Sequence, residues 1–370
     1  MSRTINNFKI AIFVSFSGEG GVERMMVNLI EGLTLLGCKV DLVLVKTQKL
    51  NLDSFPPGVN LVKLKASHTF SSLLPLIIYL RRKRPDALLA AKNRANQVAI
   101  LAKILAGVST RVVVRMGTTT SAALTGKSKL LHMAWYMPMR LIYPFADSVI
   151  AVSRGVAADI SKITGLPGED IKVIPNPTIP FKLFKLAEEN IIHPWFLGGG
   201  IPVILGVGRL TRQKDFPTLI KAFAKVRLNR PCRLIIIGDG NDRPLLEGLA
   251  TELGVKDDLY MPGFTENPFA YLKRASLFVL SSAWEGSPNA LIEALALGIP
   301  VVSTDCPSGP SEILSNGRYG PLVPVGDAHA LATAMHSALD NSHEKKFLMS
   351  AVREYTVEKS SKRYLDALTG

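Results

Sequence analysis

Short apolar runs alternate along this chain with stretches of helical periodicity. In the first half KIAIFVSF, KVDLVLV, NLVKLK, DALLAA, RVVVRM, DSVIAVS and IKVIPNP read as strands, and a second series follows with VILGVGRL, RLIIIGDG, DLYMPGF, LFVLSSAW and PVVSTDC. Strands separated by helical patterns are the signature of parallel sheets with crossover helices. Between the two series, residues 178–200 (TIPFKLFKLAEENIIHPWFLGGG) mix Pro, Gly and charge without a clear period and read as a linker. No sequence repeat relates the halves; they share only the strand–helix rhythm. The pattern predicts an α/β protein of two doubly wound domains, over 1–177 and 201–350. Such sheets bind at the C-terminal ends of their strands and would face each other across a cleft.

A length of 370 residues agrees with two cores rather than one. At 47% hydrophobic and 20% charged, the composition is that of a folded chain. Cys38, Cys232 and Cys306 are far apart and odd in number, which points to free thiols in a reducing compartment. The six histidines form no pair at ligand spacing with one another or with a cysteine, so no metal site is expected. The opening run IAIFVSF ends in a Gly-rich turn, SGEGG, without a small-residue cleavage pattern, and reads as a buried strand rather than an export signal. No stretch approaches the roughly 18 apolar residues that a membrane span needs. The expectation is a soluble or peripheral protein.

Charge changes this picture. The net charge is +14, yet residues 1–180 carry 23 Lys/Arg against 10 Asp/Glu while 181–370 carry 21 against 20. Nearly all the excess lies in 61–140, where 14 basic residues meet a single acid, Asp86. A generally basic surface would not leave one half neutral. An anionic partner for the first half fits better: phospholipid, a phosphorylated lipid or nucleic acid.

Three stretches have the make-up of phosphate sites. SGEGGVERM, after the first strand, has the first two glycines of a dinucleotide fingerprint, but Glu23 stands where the third belongs. It is either a plain strand-to-helix turn or a turn whose backbone N–H groups approach an anion. SAALTGKS, 121–128, is one residue short of a nucleoside-triphosphate loop, and Ser121 replaces its first glycine. GVGRLTRQKDFPTLI, 206–220, places Arg209 at a strand end and Lys214 just before a helix opening at Asp215-Phe216-Pro217. Two cations beside the positive end of a helix suit a pyrophosphate.

A further stretch, EGSPNALIEALALGIPVVST, sets one carboxylate, Glu293, in an otherwise apolar helix. Ser287 and Pro288 read as its N-cap and first residue, with Gly298 and Pro300 ending it. Asn289 and Glu293 share one helical face, and Glu285 lies in the loop before the helix. A buried carboxylate is costly unless a protein donor or a ligand hydroxyl reaches it. Its place at the C-terminal edge of a wound sheet favours the ligand.

Glu285 and Glu293, separated by seven residues, resemble the E-x7-E motif of retaining glycosyltransferase family 4, which has the two-Rossmann GT-B fold. The resemblance extends to GEGGVERMM, DSVIAVSRGV, IKVIPNP, GRLTRQKDF, LIIIGDG and WEGSPNALIEALALGIPVVSTDC. The stretch EGSPNALIEALALGIPVVSTDCPSGPSEIL is most similar to bacterial members that build surface polysaccharides and lipid-linked oligosaccharides. The resemblance implies a nucleotide-sugar donor as substrate, with UDP-sugar favoured, and no separate cofactor. Arg209 and Lys214 would hold the donor diphosphate, Glu293 the ribose hydroxyls, and Glu285 the transferred sugar. Backbone N–H groups of Ser287, Pro288's neighbour Asn289, Ala290 and Leu291 would approach the phosphates and sugar. Gly20 and Gly21 would line the cleft from the other domain, and Gly263 and Phe264 would border the base. Residues 351–370 are expected to return to the N-terminal domain.

Charge developing on the nucleoside diphosphate as the anomeric bond breaks would be stabilised by Arg209, Lys214 and the helix dipole, without metal. The chain has no D-x-D sequence. Many relatives carry a histidine after the first domain's fifth strand; here RVVVRMGTTT offers Arg115 instead. The acceptor implied is a polyprenyl-linked or other glycan, reached at the cytosolic face of a membrane. Within 61–140, SSLLPLIIYLRRKRP and KSKLLHMAWYMPMRLIYPF combine apolar helix patterns with cations and read as interfacial segments, or as helices packed on the sheet with only their cations exposed. Two rivals remain at this level: a P-loop-like NTPase using Lys127, and a basic α/β protein that binds nucleic acid. The second lacks the usual nucleic-acid motifs, and no nucleic-acid partner is expected.

Overall fold

The computed structural model describes residues 7–14, 21–45, 55–197, 200–341 and 343–370. The chain divides into two units, Met1–Pro177 with Glu354–Gly370, and Thr178–Arg353. In the first unit β1 (Lys9–Val14), β2 (Lys39–Leu44), β3 (Asn60–Lys63), β4 (Ala87–Ala91), β5 (Arg111–Met116), β6 (Ser148–Ala151) and β7 (Ile171–Val173) form one parallel sheet in the order β3-β2-β1-β4-β5-β6-β7. In the second, β8 (Val203–Val207), β9 (Arg233–Ile237), β10 (Leu259–Gly263), β11 (Leu277–Leu280), β12 (Val301–Thr304) and β13 (Leu322–Val323) are also parallel, in the order β10-β9-β8-β11-β12-β13. Each apolar run read as a strand forms one. The two-residue β13, between Pro321 and Pro324, is too short to show a period and was not expected.

Both sheets start in the middle. β1 lies between β2 and β4, and β8 between β9 and β11. Connections leaving either side of such a pair run to opposite faces, which opens a crevice at the C-terminal edge. The strands are apolar because both faces are covered: Ala11 and Phe13 of β1 join one core, while Ile10, Ile12 and Val14 join the other.

Residues 178–200, read as a linker, belong to the second unit. The short helix Leu183–Ala187 lies against Pro268–Arg274, with Asn267 Nδ2 donating to the Leu186 carbonyl at 2.8 Å and Arg274 to that of Ala187 at 3.3 Å. These partners lie some eighty residues away, so no local period records them.

The helix Val357–Thr369 belongs to the first unit and packs on Gly21–Leu35. Gly32 makes this possible: a Cβ there would sit 2.0 Å from Ser361 Oγ. Tyr364 enters the core and accepts a hydrogen bond on its hydroxyl from Arg115 Nε at 3.0 Å, while Arg115 Nη2 donates to Asn176 Oδ1 at 2.6 Å. Arg115 is 2% exposed and lies within β5 rather than after it. It ties three parts of the unit together instead of standing at a ligand site. Hydrogen bonds to a buried charge are the strong kind. Tyr364→Phe is therefore expected to destabilise the first unit by about 2 kcal/mol, read as a lower urea midpoint of its transition; an unchanged midpoint would show that Arg115 does not need the hydroxyl.

Candidate active site

The second unit places its crevice between the loops that follow β8 and β11, the two strands at the centre of the sheet. Glycines allow the close approach that builds the first loop. A Cβ on Gly238, whose φ is +138°, would lie 1.9 Å from the Gly208 carbonyl oxygen, and one on Gly240 would lie 2.3 Å from that of Leu210. The chain after β8 thus runs directly over the chain after β9, joined by Leu210 N–H to the Asp239 carbonyl at 3.0 Å.

From there the loop turns toward β11 and is stitched to it. Ala283 N–H donates to the Gln213 carbonyl at 2.8 Å, Gln213 Nε2 to the Trp284 carbonyl at 3.0 Å, and Ser281 Oγ to the Lys214 carbonyl at 2.8 Å. The Lys214 stem lies across Gly208, where a Cβ would meet Lys214 Cε at 2.9 Å. Its ammonium reaches Glu285 Oε1 at 2.6 Å, and Ser282 Oγ donates to the same oxygen at 2.7 Å. Glu285 is 6% exposed. Arg209 stands at the loop's start with its side chain exposed and in no ion pair among the described residues. Asp215 takes the N-cap position of Phe216–Asn229, as expected, and its carboxylate accepts from the Thr218 hydroxyl at 2.7 Å. Burial raises its pKa above the usual carboxylate range.

The helix after β11 runs from Asn289 to Ala296 with Pro288 as its N-cap, one residue later than the sequence suggested. Pro288 has extended backbone, at φ −71° and ψ 100°, so the helix begins at Asn289, and the Leu291 N–H reaches the Pro288 carbonyl at 3.1 Å. Glu293 is 2% exposed, within the buried run Leu291–Ala296, and Asn289 Oδ1 accepts from Thr178 Oγ1 at 3.2 Å. Ser287 Oγ is buried without a hydrogen-bond partner among the described residues. The turn is closed by Gly309, at φ +99°, where a Cβ would meet Pro288 Cδ at 2.7 Å, and by Ser308 Oγ donating to the Gly286 carbonyl at 3.2 Å. Cys306 lies beneath this loop, its thiol pushed up to about 12 by burial and by Glu285.

Gly263 ends β10 at φ +91°, and its carbonyl accepts from Gly238 N–H at 2.9 Å; Phe264 beside it is half exposed. Arg243 fixes this rim, donating to Asp239 Oδ1 and to the Met261 carbonyl, both at 3.1 Å. Gln213, Ser282 and Arg243 were not among the expected residues. Arg243 had a signal, its spacing of four from Asp239; the other two act on partners remote in sequence.

The remaining expected residues lie in the first unit. Gly20 is outside the described residues, and Gly21 opens the helix Gly21–Leu35. The NTPase alternative is not built: SAALTGKS forms the short helix Thr120–Ala123 and a turn through Gly126, and Ser128 caps the next helix. An NTPase would also need a magnesium-binding acid at a strand end, and Asp239, which ends LIIIGD, belongs to the other unit.

The second unit thus gathers Arg209, Lys214, Glu285, Ser287 and the positive end of a helix at one switch point. Positive charge and donors dominate it, so it suits an anionic ligand bearing hydroxyl groups. Its geometry depends on the glycine contact below. Gly238→Ala combines strained φ with a backbone collision and is expected to cost about 3 kcal/mol or more, measured by chemical denaturation of the second unit; a change under about 1 kcal/mol would show that the loops can part without loss.

Residues 188–355 match the sequence pattern of the glycosyl transferases group 1 family, and residues 20–177 that of a glycosyl transferase 4-like domain. The chain is 27% identical over 347 residues, 91% of its length and 92% of the relative's, to an N-acetylgalactosaminyltransferase of Campylobacter jejuni that acts on N-acetylgalactosamine-N,N'-diacetylbacillosaminyl-diphospho-undecaprenol. It is 28% identical over 336 residues, 88% of each chain, to the lipopolysaccharide core biosynthesis glycosyltransferase LpsE of Rhizobium meliloti. Among solved structures, the Anabaena protein HepE in complex with UDP-glucose has the same fold, with a TM-score of 0.79, 18% identity, and coverage of 98% of this chain and 99% of that one. Two matched family patterns and two parallel-sheet units agree: the chain belongs to the group 1 glycosyltransferases and is a glycosyltransferase of the GT-B fold.

Proposed function

We propose that this enzyme transfers a hexosyl or N-acetylhexosaminyl group, with retention of configuration, from a UDP-sugar to a lipid-linked or other glycan acceptor in cell-surface polysaccharide assembly. The observation that carries the reading is the Lys214–Glu285 pair at the sheet's switch point, beside the start of Asn289–Ala296. The Lys214 ammonium has three donors and gives one to Glu285, leaving two for the donor diphosphate. Arg209, exposed at the same loop, supplies a planar fork that matches phosphate oxygens. Backbone N–H groups at the helix start, about Ser287 to Leu291, would complete the cradle, with the Ser287 hydroxyl beside them.

As the anomeric C–O bond breaks, its electrons go to the leaving diphosphate. Preorganised cations and N–H dipoles there stabilise the transition state more than the ground state. These groups take the part a divalent ion would play, so activity is expected to survive EDTA, and no cofactor besides the donor is invoked. Glu293 would receive the ribose hydroxyls, Glu285 a hydroxyl of the sugar, and Gly263 with Phe264 would border the base. The diphospho-undecaprenol-linked acceptor of the Campylobacter relative supports an acceptor of that class, and the UDP-glucose in HepE supports the donor. Work on such an acceptor would place the enzyme at the cytosolic face of the inner membrane, touching an anionic surface through 61–140. No helix among the described residues is long and apolar enough to cross a membrane.

A thermal-shift comparison of UDP-, GDP- and ADP-sugars in EDTA tests the donor: at a hundred times its dissociation constant a true donor adds about 2.7 kcal/mol. Arg209→Ala is expected to cut turnover by about a hundredfold or more; turnover within about twofold of wild type would remove it from the diphosphate site. Glu293→Gln is expected to weaken free UDP by about 1.5–3 kcal/mol, because the lost contact is to ribose. Glu285→Gln should spare free UDP and cut transfer about a hundredfold. Calorimetry with UDP separates the two roles, and equal UDP affinity in both variants would overturn the assignment.

A further inference from the structure

The helix Lys129–Ile142 buries little of its own apolar surface: Met139 is its one buried residue. Leu130, Met133, Met137 and Leu141 are 72%, 56%, 46% and 62% exposed. Their spacing of three, four and four residues puts them on one stripe of the helix. Exposed apolar stripes of this kind mark contact surfaces. Beside the helix, where it packs on Arg154–Thr164, lies an open groove of about 660 Å³. Four cations line it, Lys127, Lys129, Arg140 and Lys162, together with His132 and Tyr136.

One acid reaches the groove with its charge, Asp159, at Tyr136. The helix Lys129–Ile142 has none, and Asp159, the one acid of Arg154–Thr164, turns its carboxylate to the N–H groups of Thr120 and Ser121 at 2.6 and 3.3 Å. The other segment read as interfacial is differently built. Leu73–Lys83 buries Leu76, Tyr79 and Leu80, and Arg81 caps a neighbouring helix by donating to the carbonyls of Leu105 and Ala106 at 2.9 and 3.1 Å.

Resting on the membrane reading above, we propose that this groove and stripe are the docking surface, and that the occupant is the surface of an anionic phospholipid bilayer. The cations would seat headgroup phosphates while the stripe enters the acyl boundary, as in helices that lie in the interface plane. Charge selects this occupant over a second copy of the chain, which would set like cations against each other. Apolar and cationic surface side by side selects it over nucleic acid, which has no use for an exposed Leu and Met stripe.

Co-sedimentation at physiological salt tests the proposal, with vesicles of phosphatidylglycerol and phosphatidylcholine against vesicles of phosphatidylcholine alone. Wild type is expected to partition to the anionic vesicles only. A variant carrying Lys127→Glu, Lys129→Glu, Arg140→Glu and Lys162→Glu should lose at least about a hundredfold in partition, since each cation near an anionic leaflet is worth about fivefold. A second variant, Leu130→Ser, Met133→Ser, Met137→Ser and Leu141→Ser, should lose about tenfold or more. UDP binding, a property of the second unit, should stay unchanged in both and reports folding. If wild type sediments and both variants sediment equally well, the groove is wrong while membrane docking stands, and reversal of Arg82, Lys83 and Arg84 would then release the chain. If wild type ignores anionic vesicles, or takes neutral ones equally, both the groove and the docking are overturned. Retention by single-stranded RNA at the same salt, lost in the first variant, would assign the groove to nucleic acid and overturn the proposal.

Discussion

One ion pair organises the second unit: Lys214 on the loop after β8 and Glu285 on the loop after β11, 2.6 Å apart. Taking two charges out of water is expensive, and their attraction alone does not offset it. The pair persists because its surroundings satisfy it. Ser282 donates to the same carboxylate oxygen, and Thr304 Oγ1 on β12 holds the Ser282 carbonyl at 2.7 Å. Gly208 leaves room for the lysine stem, and Gln213 bridges to Trp284. The two loops therefore move as one piece. The Lys214 cation and the Glu285 carboxylate are fixed relative to each other before any ligand arrives, which is what preorganisation requires.

The strands, their order of appearance and the position of this site were legible because they are written locally. A short apolar run bounded by turn residues between helical periods reads as a buried strand, and Glu293 stands alone among apolar neighbours. The contacts that hold the site were not legible. Gln213 reaches a carbonyl 71 residues on, and Gly238 must lack a side chain because of the Gly208 backbone, 30 residues earlier in the chain. Arg115 shows the same limit from the other side. It stood out as a departure from a family pattern near a ligand site, yet its partner Tyr364 lies 249 residues away and pulls it into the core. Residue type and spacing reveal what a local element needs; they are silent about which remote element supplies it.

The basic first unit repeats that lesson with charge. Its surplus of cations is one number in the sequence, but the structure divides it by task. Arg115 is consumed in the core, Arg111 donates to the Ala367 carbonyl at 3.1 Å, Arg81 caps a helix, and Lys103 meets Asp147 at 2.5 Å. Each of these is neutralised or hydrogen-bonded by the fold itself. Of these only Lys103 is offset by an acid; the three arginines keep their charge, but their donors are committed to the fold, while Lys127, Lys129, Arg140 and Lys162 line an open groove.

That helix does not owe its existence to its apolar stripe. Its start is held by polar contacts: Ser128 Oγ accepts from Leu131 N–H at 3.3 Å, and His132 Nε2 lies 2.9 Å from the Leu124 carbonyl. The inner face supplies Met139 and, just beyond the helix, Tyr143, whose hydroxyl joins Asn93 and Asn96 at 3.0 Å. Pro138, which cannot donate its backbone nitrogen, weakens the helix further from within. With anchoring done by these groups, Leu130, Met133, Met137 and Leu141 add nothing to the core, and their exposure forgoes the stabilisation that burial would bring. An apolar surface kept outside, on a helix whose fold does not need it there, is surface held for contact with something other than this unit's own core.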